Sequence, residues 1–193
     1  MPPRILVIPG SLRTGSHNAR LAALAAKELA LLDAEVTRIS LEDYELPLFD
    51  ADLASAASGP PSAAVKLKAM LMGHRGVFIT SPEYSASVTP LLKNAIDWVS
   101  RVRERGEPSH AAFKGRIFAL GSATSGGGGG IRSMMALRQI LELGCGALVI
   151  PEQVNVPRAE YAFDEMDNLK DETLADALKS AMRRLVELAG LMN

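Results

Sequence analysis

Five short apolar runs alternate with helical patterns along the chain, and this alternation limits the possible folds more than any other feature of the sequence. Most of the runs are continuously apolar, as expected of strands covered on both faces, so they predict a parallel sheet with right-handed helical crossovers. The predicted strands are Ile5–Ile8, Glu35–Ile39, Val77–Thr80, Arg116–Leu120 and Ala147–Ile150. The predicted helices span residues 16–32, 63–72, 88–103, 131–143 and 171–191.

Five strands with five helices favour a flavodoxin-like three-layer α/β sandwich, with strand order 2-1-3-4-5 and helices on both faces of the sheet. A length of 193 residues is enough for one such domain and small for two, so we expect a single domain over 1–193. The stretch 50–63, rich in small residues, glycine and proline, is interpreted as a surface loop within that domain.

Charge and hydropathy argue against several classes of function. The chain has 21 lysines and arginines and 22 aspartates and glutamates, and a net charge of −1 is unlike that of a nucleic-acid or membrane-surface protein. No apolar run approaches the roughly 20 residues of a membrane span. The first strand follows Met1 almost at once, which leaves no room for a signal peptide. We therefore expect a cytoplasmic protein with no nucleic-acid partner and no membrane partner.

The cysteine and histidine residues give little support to a disulfide or a metal site. Cys145 is the only cysteine and lies between two glycines, so it is interpreted as a small core residue. The histidines, His17, His74 and His110, lie far apart without the spacing of metal ligands. We therefore expect no bound metal.

A hydroxyl-rich turn, Gly10–Asn18, lies between the first strand and the first helix. Free main-chain N–H groups and the positive end of the helix dipole favour a phosphate there, and Arg13 adds a positive charge. Gly10 and Gly15 have the spacing of an ATPase P-loop, but the lysine and Ser/Thr that should follow are absent, as is the dinucleotide pattern G-x-G-x-x-G. The turn predicts a site for one terminal phosphate, with a simply capped helix as the alternative.

Two more loops of unusual composition follow the third and fourth strands, at Ser81–Val88 and Gly121–Gly130. Ligands of open parallel sheets bind beyond the carboxyl ends of the strands, and the expected strand order brings these loops beside the first one. The loop after the fourth strand ends in five successive glycines, and its lack of side-chain bulk would let a flat ring come close.

Two spaced motifs make the chain similar to the NADPH-dependent FMN reductase family, a flavodoxin-like group that includes quinone, azo and chromate reductases. The pattern G-S-x-R-x-x-S-x-N occurs at residues 10–18, and P-E-Y followed by L-K-N-A-I-D-W occurs at 82–84 and 92–98. The resemblance covers about residues 4–150. Ser85 departs from it, because the family often has asparagine there, and we expect a side-chain contact to the flavin to be lost or water-mediated while main-chain contacts survive.

The resemblance implies that FMN is the cofactor, with its phosphate and the start of its ribityl chain held by the first loop. The second loop would wrap the isoalloxazine edge, largely through main-chain groups, and the third would lie near the second face of the flavin or the incoming nicotinamide. Arg132 is interpreted either as a ligand of the NADPH 2′-phosphate or as a plain surface residue. The candidate cofactor-binding residues are Ser11, Arg13, Ser16, His17, Asn18, Pro82, Glu83, Tyr84, Ser85, Ser122, Gly126 and Gly127.

The implied activity is hydride transfer from NADPH or NADH to FMN, followed by passage of two electrons to a small-molecule acceptor such as a quinone or a flavin. The scheme requires no side-chain acid or base, so we expect no catalytic residue apart from the flavin. Two alternatives stay open. One is an FMN-binding electron carrier without NADPH activity, although such carriers are usually strongly acidic. The other is a binding module that uses the pocket without FMN.

Association between copies is also expected, because similar proteins imply a homodimer or a homotetramer. Trp98 lies at the edge of a helical apolar stripe and would pack either in the rim of the core or against a neighbouring subunit. Residues 46–49 are interpreted as core, with the pocket or an interface as the alternative.

Overall fold

The computed structural model describes residues 2–56 and 59–192 and contains one sheet of five parallel strands. The strands are β1 (Arg4–Pro9), β2 (Glu35–Arg38), β3 (Gly76–Thr80), β4 (Ile117–Ala123) and β5 (Leu148–Val156). Their order, β2-β1-β3-β4-β5, confirms the predicted one. It leaves β2 and β5 as the edge strands.

Helices cover both faces of the sheet. They are α1 (His17–Leu31), α2 (Ala51–Ala54), α3 (Ser62–Met72), α4 (Pro90–Arg101), α5 (Ile131–Gln139), α6 (Ala159–Ala162) and α7 (Glu172–Leu191). Helices α1 and α7 pack on one face, and α3, α4 and α5 pack on the other. No helix in the described ranges is both long and apolar enough to cross a membrane.

Strand β1 shows why the apolar runs are continuous. Successive side chains of a strand point to opposite faces of the sheet. Ile5 and Val7 are buried in the cluster with α1 and α7, whereas Leu6 and Ile8 are buried in the cluster with α3, α4 and α5. Each such side chain stabilises the fold by about 1.5–3 kcal/mol when it is fully buried.

The sequence prediction ended β4 and β5 too early. Main-chain pairing carries β4 past Leu120 to Ala123, because Gly121–Ala123 pair with Val154–Val156. Gly121 is required by packing, since a Cβ there would lie 2.8 Å from Cζ of Phe78. Pro151 does not end β5, because the register shifts around it and an edge strand tolerates a proline.

Three other boundaries also differ from the prediction. The segment 50–63, predicted as a loop, contains the short helix α2 and the start of α3, while Ala57 and Ser58 lie outside the described residues. Helix α4 begins at Pro90 rather than at residue 88, because the Thr89 side chain caps it. Helix α5 ends at Gln139 and is prolonged by a π-helical turn, Ile140–Gly144.

Trp98 packs inside the chain rather than against another subunit. It is fully buried, and its indole N–H donates to the carbonyl of Pro47 at 2.7 Å. The ring of Phe49 packs edge-to-face on the indole, with 5.2 Å between the ring centroids. The segment 46–49 is therefore core packing in part, although Leu48 is 83% exposed. Cys145 is buried as expected, and burial raises the pKa of its thiol to about 11.

Candidate functional site

Three loops meet at the carboxyl edge of the sheet around a cavity of about 400 Å³. We call them loop 1 (residues 10–16), loop 2 (81–89) and loop 3 (124–130), which follow β1, β3 and β4. The volume is typical of small-molecule sites, which span roughly 300–1,000 Å³. The cavity is lined by Ser11, Arg13, Ser16, His17, Asn18, Pro82, Glu83, Tyr84, Ala123, Thr124, Ser125 and Gly126.

Three of the predicted site residues do not line this cavity. Ser122 is fully buried within β4, and its hydroxyl packs directly against Gly130. Ser85 lies in the outer turn of loop 2, and Gly127 lies one residue beyond the cavity wall.

The cavity instead uses Ala123, Thr124 and Ser125, which the sequence analysis did not single out. They were not predicted because the sequence analysis ended β4 at Leu120. A strand that continues to Ala123 moves its tip, and with it the ligand-facing loop, three residues along the chain.

Loop 1 leaves several donors unpaired where α1 begins. Ser16 is the N-cap of α1, and its hydroxyl oxygen accepts a hydrogen bond from the N–H of Ala19 at 3.3 Å. Unpaired N–H groups at a helix start, together with the helix dipole, form an anion-binding site. Within residues 2–56 and 59–192, no protein acceptor is found for the main-chain N–H groups of Leu12, Thr14, Gly15, His17 and Asn18.

Gly10 fastens loop 1 to the ends of loop 2. Its N–H donates to the carbonyl of Thr80 at 2.6 Å, and its carbonyl accepts from the hydroxyl of Thr89 at 2.8 Å. A Cβ at Gly10 would lie 2.8 Å from the Thr80 oxygen, a backbone atom that cannot move aside. Glycine is therefore needed here for close approach of the two chains.

Asn18 binds the protein itself rather than leaving its amide oxygen free for a ligand. The side chain is almost completely buried; Nδ2 donates to the carbonyl of Ala123 at 2.8 Å, and Oδ1 accepts from the N–H of Ala123 at 3.0 Å. The hydroxyl of Thr80 donates to the Asn18 carbonyl at 2.9 Å. Asn18 thus positions the start of α1 against the ends of β3 and β4.

His17 lines the cavity as a neutral side chain. Burial lowers its pKa, and the charges of Arg13 and Arg20 lower it further, while Glu160 acts in the opposite direction. Its Nδ1 is buried and has no hydrogen-bond partner among the described residues. A proton on Nδ1 would therefore be a buried, unsatisfied donor, which favours the tautomer with the proton on Nε2.

Loop 2 contains a tight two-residue turn at its outer end, between Tyr84 and Ser87. Tyr84 and Ser87 exchange two main-chain hydrogen bonds of 2.9 Å, and the residues between them, Ser85 and Ala86, have positive φ angles of 48° and 63°. Such turns favour Asn-Gly, because asparagine and glycine adopt left-handed conformations readily. The departure at Ser85 therefore affects the conformational energy of the loop.

Glu83 ties loop 2 to the start of α5. Its carboxylate accepts from Nε of Arg132 at 2.8 Å, forms an ion pair with Nη2, and accepts from the N–H groups of Arg132 and Ser133 at 3.1 and 3.4 Å. The hydrogen bond from Arg132 is the main cause that holds the pKa of Glu83 below its usual range. Arg132 is therefore a largely exposed arginine whose guanidinium is paired with Glu83, which favours its interpretation as a surface residue over that as a ligand of the NADPH 2′-phosphate.

The cavity combines an anion-binding part with a narrow part that has little side-chain bulk. Loop 1 and the start of α1 provide donors and the guanidinium of Arg13. Loops 2 and 3 provide Pro82, the half-exposed ring of Tyr84 and Gly126. Such a site suits a phosphorylated ligand that carries a flat ring.

Comparison with known proteins gives a consistent result. A family model described as NADPH-dependent FMN reductase matches residues 3–160. An NAD(P)H-dependent FMN reductase of Pseudomonas aeruginosa is 32% identical over 184 residues, covering 94% of this chain and 92% of its own. A quinone reductase of Escherichia coli K12 is 35% identical over 139 residues, covering 72% of this chain and 69% of its own. Among solved structures, the flavoenzyme NAD(P)H:(acceptor) oxidoreductase FerB of Paracoccus denitrificans has a TM-score of 0.77 at 26% identity, over 98% of both chains.

Proposed function

This chain belongs to the NADPH-dependent FMN reductase family, and we propose that the cavity enclosed by loops 1, 2 and 3 is its FMN site. The protein is an NAD(P)H-dependent oxidoreductase that reduces flavin and passes electrons to a quinone-type acceptor. The observation that carries the assignment of the site is that a phosphate-binding loop and two loops of low bulk line one cavity of about 400 Å³.

The residues of loop 1 fit the phosphate of FMN. The guanidinium of Arg13 has no carboxylate partner in the described residues, and its Nη2 donates to the carbonyl of Gly15 at 3.4 Å. The hydroxyl of Ser16 uses its oxygen to cap α1, so its hydrogen is available to donate. His17 adds a neutral N–H at Nε2. This donor set suits a phosphate and needs no lysine.

When bound, FMN supplies the redox chemistry, because it accepts a hydride from NAD(P)H and delivers two electrons to the acceptor. The protein holds and orients the reactants. Pro82 has no main-chain N–H, so it offers no competing donor at the start of loop 2. The ion pair of Glu83 with Arg132 keeps that loop fixed on α5. The half-exposed ring of Tyr84 provides an apolar surface at the rim.

The phosphate-binding role of loop 1 is tested by comparing the affinity for FMN with the affinity for riboflavin, which lacks the phosphate. Arg13→Ala should weaken FMN binding about tenfold and leave riboflavin binding unchanged, because a charge-assisted contact to phosphate is lost. Arg183→Ala removes an equal charge from an exposed position on α7 and should change neither affinity. Equal weakening of both flavins by Arg13→Ala would contradict the assignment of loop 1.

The reductase activity is tested by anaerobic titration of the FMN-loaded protein with NADPH. Loss of the oxidised flavin absorbance at about one equivalent is the expected result. A bound flavin that stays oxidised would favour an electron carrier instead. A protein that binds no FMN would favour a binding module that uses the same pocket for another ligand.

The same proposal includes a homo-oligomer located in the cytoplasm. The support for association is the family resemblance, and exposed apolar side chains such as Leu12, Leu48 and Leu53 are available to a partner subunit. Size-exclusion chromatography with light scattering should give a dimer or a tetramer at micromolar concentration, and a monomer would contradict this part of the proposal. The cytoplasm is the compartment in which the nicotinamide coenzyme is available, and cell fractionation tests the location.

A further inference from the structure

A second cavity, of about 420 Å³, lies between loop 1 and the carboxyl end of β2. Ser11 and Arg13 line both this cavity and the proposed FMN site. The two cavities are therefore neighbours on either side of the tip of loop 1. We call this second cavity the β2 cavity.

Two guanidinium groups without acidic partners line the β2 cavity. Arg38 is the last residue of β2 and is exposed, and Arg13 extends from loop 1. Neither forms an ion pair with a carboxylate anywhere in the described ranges 2–56 and 59–192. Arg132 differs, because Glu83 already pairs with its guanidinium.

The same cavity also has groups suited to sugar hydroxyls. Glu42 and Asp43 lie in the short 3-10 helix that follows β2, and neither carboxylate is in an ion pair among those residues. The hydroxyl oxygen of Ser40 accepts from the N–H of Glu42 at 3.2 Å, which leaves its hydrogen to donate. Because Arg13 is assigned to the FMN phosphate, Arg38 is the guanidinium left for a phosphate in the β2 cavity. Ser40, Glu42 and Asp43 beside it offer partners to hydroxyl groups, and this suits a ligand with both kinds of group better than a bare anion.

We propose that the β2 cavity binds the phosphorylated adenosine ribose of NADPH and that Arg38 recognises its 2′-phosphate. The proposal rests on the function proposed above. The same recognition chemistry occurs in parallel α/β sheets whose first loop binds a dinucleotide rather than FMN: an acidic residue near the second strand accepts from the ribose hydroxyls, and an arginine accommodates the 2′-phosphate. Here Arg38 ends that strand, and Glu42 and Asp43 follow it directly. The residue pattern makes the enzyme selective for NADPH over NADH.

The direct test measures binding of 2′,5′-ADP and of 5′-AMP to the FMN-loaded protein by calorimetry. The two probes differ by the 2′-phosphate, so 2′,5′-ADP should bind at least about tenfold more tightly. Arg38→Ala should remove most of that difference, and Arg38→Lys should keep part of it because the charge remains. Arg183→Ala is the matched control and should leave both affinities unchanged. Equal binding of the two probes to the wild-type protein would overturn the proposal.

A second measurement follows flavin reduction by NADPH and by NADH in a stopped-flow instrument without oxygen. Arg38→Ala should lower the second-order rate constant of flavin reduction by NADPH about tenfold and leave the value for NADH within about twofold. An equal loss with both coenzymes would mean that Arg38 supports the fold of loop 1, and it would overturn the proposal.

The two tests separate this inference from the proposed function. The probe 2′,5′-ADP has no nicotinamide, so its binding reports on the β2 cavity even if no flavin is reduced. A wild-type protein that binds 2′,5′-ADP selectively but is reduced by neither coenzyme would contradict the reductase and leave the cavity assignment standing.

Discussion

Nε2 of His74 lies 2.9 Å from Oγ1 of Thr37, and this contact joins the chain after α3 to the edge strand β2. The other ring nitrogen, Nδ1, lies 2.6 Å from the carbonyl oxygen of Met70. A carbonyl oxygen can only accept, so Nδ1 carries the proton and Nε2 accepts from the threonine hydroxyl. Burial lowers the pKa of this imidazole, so the neutral form predominates in the folded protein near pH 7.

This neutral histidine should make the protein less stable in acid. Burial lowers the pKa of His74 below its ordinary value of 6.5, although the hydrogen bond to Met70 opposes the change. In the unfolded chain the ring takes up a proton below about pH 6.5, whereas in the folded chain it does so only at lower pH. The free energy of unfolding should therefore fall as the pH drops from about 6.5 towards 5. Urea titrations over pH 5–8 measure this slope.

Variants at the two ends of the contact isolate the effect of His74. His74→Gln should reduce the slope, and what remains belongs to other histidines such as His17, whose pKa is also lowered. Thr37→Val keeps the His74 ring but leaves its Nε2 without a partner, so it should lower the free energy of unfolding by about 1 kcal/mol at pH 8. A slope that is unchanged in His74→Gln would contradict the assignment.

Asn18→Ala should destabilise the protein before any cofactor is added. It leaves the N–H and the carbonyl of Ala123 without partners in a buried place, and this should cost about 2–4 kcal/mol. FMN affinity should fall as well, because the start of α1 loses its fixed position. Urea unfolding of the apoprotein gives the first quantity, and flavin fluorescence gives the second. Ser11→Ala is the control: it should lower FMN affinity and change the unfolding free energy by less than about 0.5 kcal/mol.

The turn at Ser85 and Ala86 should become more stable when its residues match its backbone. Ala86→Gly removes a Cβ at a φ of 63°, and Ser85→Asn places asparagine at a φ of 48°. Each change should raise the free energy of unfolding by about 0.5–1 kcal/mol. Ala69→Gly, at an exposed position inside α3, should lower it by about 1 kcal/mol. Loss of stability in both turn variants would contradict the strain argument.

The ion pair of Lys68 with Glu107 joins α3 to the segment after α4 and is nearly enclosed. Lys68→Met should cost about 2 kcal/mol because it leaves a carboxylate largely buried, and the loss stays moderate because 14% of the Glu107 side chain is exposed. The double variant Lys68→Met with Glu107→Leu should recover most of that loss. Denaturation at pH 7 compares the three proteins. A double variant no more stable than Lys68→Met would contradict the prediction.

The same pair gives a pH dependence of its own. The hydrogen bond from Lys68 is the main cause that holds the pKa of Glu107 below its ordinary value of 4.5. The stabilisation from the pair is then complete above about pH 4.5 and is lost as the pH falls through the lower folded value. The difference in the free energy of unfolding between wild type and Lys68→Met should therefore become smaller as the pH falls below about 4.5.

The fold could be predicted because its determinants are local. Ile5 to Ile8 are apolar without a break, and only a strand covered on both faces requires that. The end of β4 is different, because Gly121 and Ser122 look like loop residues and become strand only through pairing with Val154 and Asn155. Pairing between distant segments leaves no signal in either segment alone.

The candidate site, too, could be predicted only where its determinants are local. The donors of loop 1 follow from the Gly10–Asn18 turn and from the helix that starts behind it. The roles of two side chains could not be foreseen, because each depends on a partner far along the chain. Asn18 binds Ala123, 105 residues away, and Glu83 binds Arg132, 49 residues away. Both residues line the cavity, but their contacts with the protein could not be predicted.

The carboxylate of Glu83 has a consequence for how a ligand can lie in the cavity. Helix α1 starts in the wall of the cavity, and α5 starts beside it where Glu83 is bound; both starts attract negative charge. At α5 the main-chain N–H groups of Arg132 and Ser133 already have a carboxylate from the protein itself. The start of α1 is left to receive an incoming phosphate, so the two ends of FMN would not be interchangeable in the proposed site. With its phosphate at α1, FMN in the proposed site would lie with its ring towards Tyr84, so the protein sets the orientation of the flavin before any coenzyme arrives.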